Sequence, residues 1–234
     1  MISLYSGTPG SGKSLEVAQD IVIKLKDKKQ NVISNIKINV DFIRGKNYMA
    51  AKRKKKFGVF YYLDNSKLCP EFFYLYSMKF HKQGVDGQTL IVLDEAQVFL
   101  SPTAVKLRTQ KDSSYRQKWL IFFSESRKLG FDIILVSQFD RLIDAQVRCL
   151  LEYNVIHRKV NNFKIGWILS LFHVGMFCSV IYWYTVNERV SSKMYFYSRK
   201  YSKIYDTNML FDDKQFLNKQ KLLLGLKKAC KEVV

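Results

Sequence analysis

Ile2-Ser3-Leu4-Tyr5-Ser6-Gly7-Thr8-Pro9-Gly10-Ser11-Gly12-Lys13-Ser14 is the stretch that decides the fold. A short apolar strand at 2–5 runs into a G-x-x-x-x-G-K-[ST] loop at 7–14. Residues 13–27 then carry Leu15, Val17, Ala18, Ile21, Val22 and Leu25 at helical spacing. Strand, glycine loop and helix in that order make an anion site. Gly10 and Gly12 let the backbone turn its N–H groups inward, and the helix starting near Lys13 adds the positive end of its dipole. Gly7, Thr8, Pro9, Gly10, Ser11, Gly12, Lys13 and Ser14 are thus candidates to cradle the phosphates of ATP. In such a loop Lys13 reaches the β- and γ-phosphates, and the Ser14 hydroxyl is a ligand for Mg²⁺.

Further along, two apolar runs each end in polar residues. Leu90-Ile91-Val92-Leu93 stops at Asp94-Glu95, and Ile133-Ile134-Leu135-Val136 stops at Ser137-Gln138. Continuous apolar runs are what central parallel strands require. Asp94, at a strand end, can hold Mg²⁺ through its water shell, and Glu95 can polarise the attacking water. The competing reading of this pair is an acidic helix N-terminus. Gln138 is read as a sensor of hydrolysis at the sheet's C-terminal edge, against a loop glutamine without a role. Arg127 and Arg148 are candidate arginine fingers toward a neighbouring subunit's nucleotide in a ring, against ordinary surface ion pairs.

Strands are also expected at 31–36, 58–63 and 155–160, with helices at 71–82 and 114–128. Strands alternating with helices imply an α/β fold with a mainly parallel central sheet flanked by helices. The strand at 58–63 stands between the two motif strands in sequence. Together with Glu95 it suggests the additional-strand class of P-loop ATPases.

Residues 1–160 read as the nucleotide-binding core, 161–205 as a small aromatic-rich β extension, and 206–234 as a basic, helical tail. The stretch 165–186 contains no charged residue, has aromatic residues near its ends, and is long enough to cross a bilayer. Ser170, His173, Gly175 and Ser179 dilute it, and 177–184 reads naturally as a strand pairing with 193–198. Packed β structure is the favoured reading and a transmembrane segment the alternative.

Lys plus Arg number 39 against 20 Asp plus Glu, a net charge of +19, which attracts phosphate backbones or anionic lipid headgroups. The run Lys52-Arg53-Lys54-Lys55-Lys56 is an exposed loop that either meets such a surface or is simply solvated. With 47% hydrophobic and 25% charged residues, wholesale disorder is excluded. The four cysteines are too widely spaced to indicate a zinc site or a disulfide framework, and a reducing cytoplasm fits them.

These motifs, with Leu93-Asp94-Glu95-Ala96-Gln97, the run from Ser126-Arg127-Lys128 to Ser137-Gln138, and Ile204-Tyr205-Asp206-Thr207, resemble the zonular occludens toxin (Zot) family. That family includes the assembly ATPases of filamentous phages, and the resemblance covers residues 1 to about 207. It implies a RecA/FtsK–HerA-like ATPase using ATP and Mg²⁺, oligomeric, in the cytoplasm at the inner membrane of a bacterial host. Such a protein would drive phage assembly and DNA extrusion, with phage or plasmid DNA, membrane assembly proteins and an anionic membrane surface as expected partners. Family members usually carry a transmembrane helix followed by a periplasmic tail, a plan from which this chain departs. Two other functions compete: a nucleotide-gated binding protein or toxin-type effector with little turnover, and a small-molecule P-loop kinase. The kinase would need a lid of basic residues, and none stands out.

Overall fold

Along the central strands, neighbouring apolar residues are buried on opposite faces of one sheet. Leu90 and Val92 join one core cluster and Ile91 and Leu93 the other; Ile134 and Val136 separate from Ile133 and Leu135 in the same way. Such strands must be covered on both sides, which is why they read as unbroken apolar runs.

The computed structural model describes residues 1–39, 43, 57–160, 175–202 and 204–205. Its strands are β1 (Ile2–Ser6), β2 (Asn31–Ser34), β3 (Phe60–Tyr62), β4 (Thr89–Leu93), β5 (Phe131–Val136), β6 (Tyr153–Lys159), β7 (Met176–Trp183) and β8 (Glu188–Phe196). Their order across the sheet is β3-β2-β4-β5-β1-β6-β7-β8. From β3 to β6 every pairing is parallel, and β7 and β8 continue the sheet as an antiparallel hairpin. The helices are α1 (Lys13–Val22, extended by a π-helical turn Ile23–Asp27), α2 (Pro70–Phe80), α3 (Gln97–Leu100), α4 (Pro102–Lys111), α5 (Tyr115–Glu125), α6 (Ala145–Arg148) and α7 (Arg199–Ser202).

One face is covered by α2 and α5, whose rings pack densely. Phe73 stacks on Phe122 at 5.0 Å between centroids, and Trp119 lies among Phe73, Phe99 and Phe123. The other face is covered by α1 through Val17, Ile21 and Val22, joined by Ile204 beyond α7. Aromatic contacts of this kind add to the area buried, so the two clusters hold the sheet edge rigid beneath the loops.

Three segments take definite places in the fold. Across the sheet the strand between β1 and β4 is β5, while the segment at 58–63 stands between them in sequence only. That segment forms β3 at the sheet's edge, because Phe60, Tyr61 and Tyr62 are at most half-buried whereas Ile133–Val136 can fill a doubly covered position. Met176–Trp183 is a strand paired along both edges, with β8 on one side as the favoured reading of 177–184 had it, so the alternative of one membrane-crossing helix over 165–186 does not hold; its first part, 165–174, lies outside the described residues. No helix among the described residues is long and apolar enough to cross a membrane. Finally, the β extension expected up to 205 ends with β8 at Phe196, and the described residues after it turn into α7. The basic run 52–56 and the tail 206–234 also lie outside the described residues.

Candidate functional site

The loop between β1 and α1 adopts backbone angles that only glycine takes readily. Gly7, Gly10 and Gly12 have φ of 144°, 74° and 97°. At two of them space forbids a side chain as well. A Cβ on Gly7 would come 2.5 Å from the His157 carbonyl, and one on Gly12 would come 2.7 Å from the Phe177 ring. Lys13 folds back over the loop, donating to the carbonyls of Gly7 at 2.5 Å and Thr8 at 3.1 Å. Burial lowers its pKa, while the charges of Glu95 and Asp94 act in the opposite direction.

Beneath the loop lies a layer of polar side chains that sequence patterns do not reveal. Glu16, on α1, is almost fully buried, with His157 Nε2 at 2.9 Å and Lys193 Nζ at 3.2 Å from its two oxygens. Burial pushes the Glu16 carboxyl up, but the bond from His157 and the charge of Lys193 hold it below its ordinary value. Tyr195 stacks on Phe177 and donates to the Gly12 carbonyl at 3.2 Å. The hairpin β7–β8 is therefore the bed on which the loop rests. The loop's motif announces itself, but apart from Glu16 the residues that support it are roughly 140 or more positions away in sequence.

Asp94 and Glu95 follow β4, at the same end of the sheet as the loop. Asn35, just after β2, clamps the Asp94 backbone in both directions: its Nδ2 donates to the Asp94 carbonyl at 2.9 Å, and its Oδ1 accepts from the Asp94 N–H at 2.7 Å. Asp94 Oδ1 accepts from the Glu95 N–H at 2.9 Å, and Oδ2 accepts from the Tyr205 hydroxyl. Burial raises the Asp94 pKa, opposed by those bonds and by Lys13. Glu95 has φ of 47°, a strained value for a residue with a side chain, and Gln97 donates to its carboxylate. Its pKa is raised first by burial and then by the neighbouring Asp94 charge. A carboxylate so placed keeps more basicity than an ordinary glutamate, which suits it to accept a proton from water.

Ser14 and Asp94 offer a hydroxyl and a carboxylate, hard oxygen donors of the kind Mg²⁺ takes when it shares its remaining positions with water and phosphate. They converge closely, because the single oxygen of Tyr205 that bonds Asp94 is also within hydrogen-bond reach of Ser14. The donor set fits the metal.

Gln138 ends up beside the loop: its carbonyl accepts from the Gly7 N–H at 3.0 Å, and it shares with Gly7 and Thr8 the lining of a cleft of about 560 Å³. The two arginines do not join this cluster. Arg127 follows α5 at the opposite end of the sheet, where β5 begins, and is bonded to Asp86 at 2.8 Å. Arg148, on α6, lies beside Tyr184, whose N–H donates to the Glu152 carbonyl near the start of β1. Within one chain the structure brings together residues 7–14, Asp94, Glu95 and Gln138, and leaves both arginines at the far edge.

The family model described as zonular occludens toxin (Zot) matches residues 1–189. Among solved structures, the chain is similar to the N-terminal domain of zonular occludens toxin from Neisseria meningitidis. The two are 17% identical with a TM-score of 0.51, over 88% of this chain and 98% of that one. It is also similar to the genome packaging NTPase B204 from Sulfolobus turreted icosahedral virus 2 in complex with AMP, at 17% identity and TM-score 0.45 over 83% and 96% of the two chains. A KaiC-like protein from the hyperthermophilic archaeon Pyrococcus horikoshii gives 14% identity and a TM-score of 0.47 over 84% of each chain. No curated protein sequence matches the chain.

Proposed function

The chain belongs to the zonular occludens toxin family, and from that premise we propose that it is an ATP-hydrolysing motor that works on phage DNA and its assembly machinery at a bacterial inner membrane. The observation that carries this reading is the convergence of the phosphate loop, Asp94, Glu95 and Gln138 at one end of a P-loop sheet, with β5 between the two motif strands. The loop amides and α1 hold the polyphosphate. Lys13 leaves the Gly7 and Thr8 carbonyls to meet the β- and γ-phosphates, so its ammonium changes partners rather than being newly desolvated. Ser14 and Asp94 would hold Mg²⁺, which would supply positive charge to neutralise the phosphates. Glu95 takes the proton of the attacking water, and Gln138, tied through its backbone to Gly7, reports the terminal phosphate to the loop. The charge of +19 supports a polyanionic partner, DNA or an anionic membrane surface. Arg127 and Arg148, far from their own chain's loop, act only if a neighbouring copy presents them in a ring.

The test is ATP hydrolysis by the full chain and by Glu95→Gln, with and without single-stranded DNA and anionic liposomes. Turnover that rises with either and is lost in the variant supports the motor. Tight nucleotide binding without turnover in any condition moves the function to the second reading, a nucleotide-gated binder. That reading draws on the Tyr205 hydroxyl, which holds Asp94 at the metal position.

A further inference from the structure

Two clefts flank the phosphate loop, and their walls differ in chemistry. The larger, about 560 Å³, is lined by Gly7, Thr8, Gln138 and polar or basic residues of β6 such as Arg158 and Lys159. The smaller, about 340 Å³, runs along residues 10–15 and is walled by Phe177, Tyr197, Tyr201, Ser202 and Tyr205. Gln138 and the start of the loop mark the first cleft as the side of the terminal phosphate. The nucleoside end of a nucleotide held by residues 7–14 must then leave through the second.

That second cleft is built to receive a flat ring. Its floor is fixed: Phe177 is buried against Gly12 and stacked on Tyr195 with 27° between ring planes. Tyr197, at the end of β8, is 52% exposed, and its hydroxyl donates to Ser202 Oγ at 2.9 Å, which ties β8 to α7. Tyr201 is half-buried on α7 and packs against the buried cluster of Leu15, Phe177 and Tyr195. Faces of tyrosine rings stack on any base, because every base has a π-face. Telling one base from another takes hydrogen-bonding groups set against its edge, most strongly amide, carboxylate or guanidinium side chains that bond it twice. Among the described residues lining this cleft the only charged side chain is Lys13, and no amide or carboxylate side chain is present.

We propose that the cleft walled by Tyr197 and Tyr201 is the nucleobase subsite, and that it accepts adenine and guanine alike. This rests on the reading of residues 7–14 as a nucleoside triphosphate site. It adds that affinity for the base comes from two aromatic residues roughly 190 positions downstream of the motif.

The experiment compares ATP, GTP and inorganic tripolyphosphate, each with Mg²⁺, by calorimetry on the full chain and on Tyr197→Ala, Tyr201→Ala and Tyr201→Phe. In the wild type, ATP and GTP should bind within about threefold of each other and roughly tenfold or more tighter than tripolyphosphate. Each alanine variant should lose about tenfold for both nucleotides while its tripolyphosphate affinity stays put, which also shows an intact loop. Tyr201→Phe should keep the advantage of the base. The proposal is overturned if the alanine variants bind ATP as the wild type does, or if ATP and GTP differ by about a hundredfold, since stacking cannot discriminate that strongly. If an alanine variant also loses tripolyphosphate, the phenylalanine variant decides: keeping the base advantage supports the subsite, and losing it with tripolyphosphate binding intact overturns it. A wild type that binds none of the three removes the nucleotide reading itself, and this one with it.

Discussion

The hydroxyl of Tyr205 donates a hydrogen bond to Oδ2 of Asp94 across 111 residues of sequence, and the same hydroxyl is within reach of Ser14. It therefore sits between the two groups that would share a metal ion. Tyr205 is held there by its bridge to Ile38 and by the buried neighbour Ile204, so its position belongs to the fold and not to a loose side chain. Burial and the adjacent Asp94 charge push its pKa up, which keeps it a donor at every pH of interest.

Removing that hydroxyl should ease metal entry. In Tyr205→Phe the ring still packs, but Asp94 loses a partner that a bond to a charged group makes worth about 1.5–3 kcal/mol before water replaces it. The Mg²⁺ concentration for half-maximal nucleotide binding should fall roughly tenfold. A magnesium titration of nucleotide binding, independent of turnover, reads this directly. A rise in the required Mg²⁺ would mean that Tyr205 orients Asp94 for the metal instead of standing in its place.

Gly12 is constrained twice over, by φ of 97° and by the Phe177 ring. Gly12→Ala should abolish measurable nucleotide binding and lower stability by about 2–4 kcal/mol, combining the left-handed backbone penalty with overpacking. Gly12→Ala with Phe177→Leu should recover part of the stability, because only the steric component is relieved. If the double variant is no more stable in urea than the single one, the contact between hairpin and loop is not what limits this position.

Asn35 lies just beyond β2 and carries no motif, yet it holds the Asp94 backbone with two hydrogen bonds. Asn35→Ala leaves a buried N–H and a buried carbonyl without partners, a loss of about 2–4 kcal/mol. Nucleotide binding without metal should change little, whereas the Mg²⁺ dependence should weaken as Asp94 loses its fixed place. Chemical denaturation and the same magnesium titration separate the two effects. Unchanged stability would show that the backbone of β4 alone suffices to place Asp94.

What the sequence makes legible follows from how local each signal is. The loop at 7–14 and the strands ending at Leu93 and Val136 are short, contiguous patterns, so fold class and the phosphate site can be read from them. Asn35, Glu16, Phe177 and Tyr205 act at long range, with hydrogen bonds in this set spanning 59 to 177 residues, and no periodicity connects them to their partners. Helix α4 escapes such a reading because its exposed, polar residues give it little apolar periodicity, with Val105 its one buried side chain. The strand expected at 58–63 does form, but its place at the edge does not follow from order in the chain. Only its half-buried rings hint at it.

The layer beneath the loop also gives the protein a pH-dependent stability. Asp20, on α1, accepts from the Tyr5 hydroxyl at 2.8 Å, and burial together with the nearby Glu16 charge raises its pKa from 3.8 to about 6. Below about pH 4 the folded and unfolded chains both hold this proton. Between about 4 and 6 the folded chain alone holds it, so stability falls as pH rises through that window and the loss is complete above it. The loss amounts to about 3 kcal/mol for a shift of this size. Asp20→Asn keeps an oxygen for Tyr5 but has no charge to bury. It should therefore match the wild type near about pH 4 and be more stable by about 1–3 kcal/mol at about pH 7.5. Urea unfolding of both proteins at the two pH values checks this. A gain of equal size at both would point to better packing of the amide and remove the titration of Asp20 as its cause.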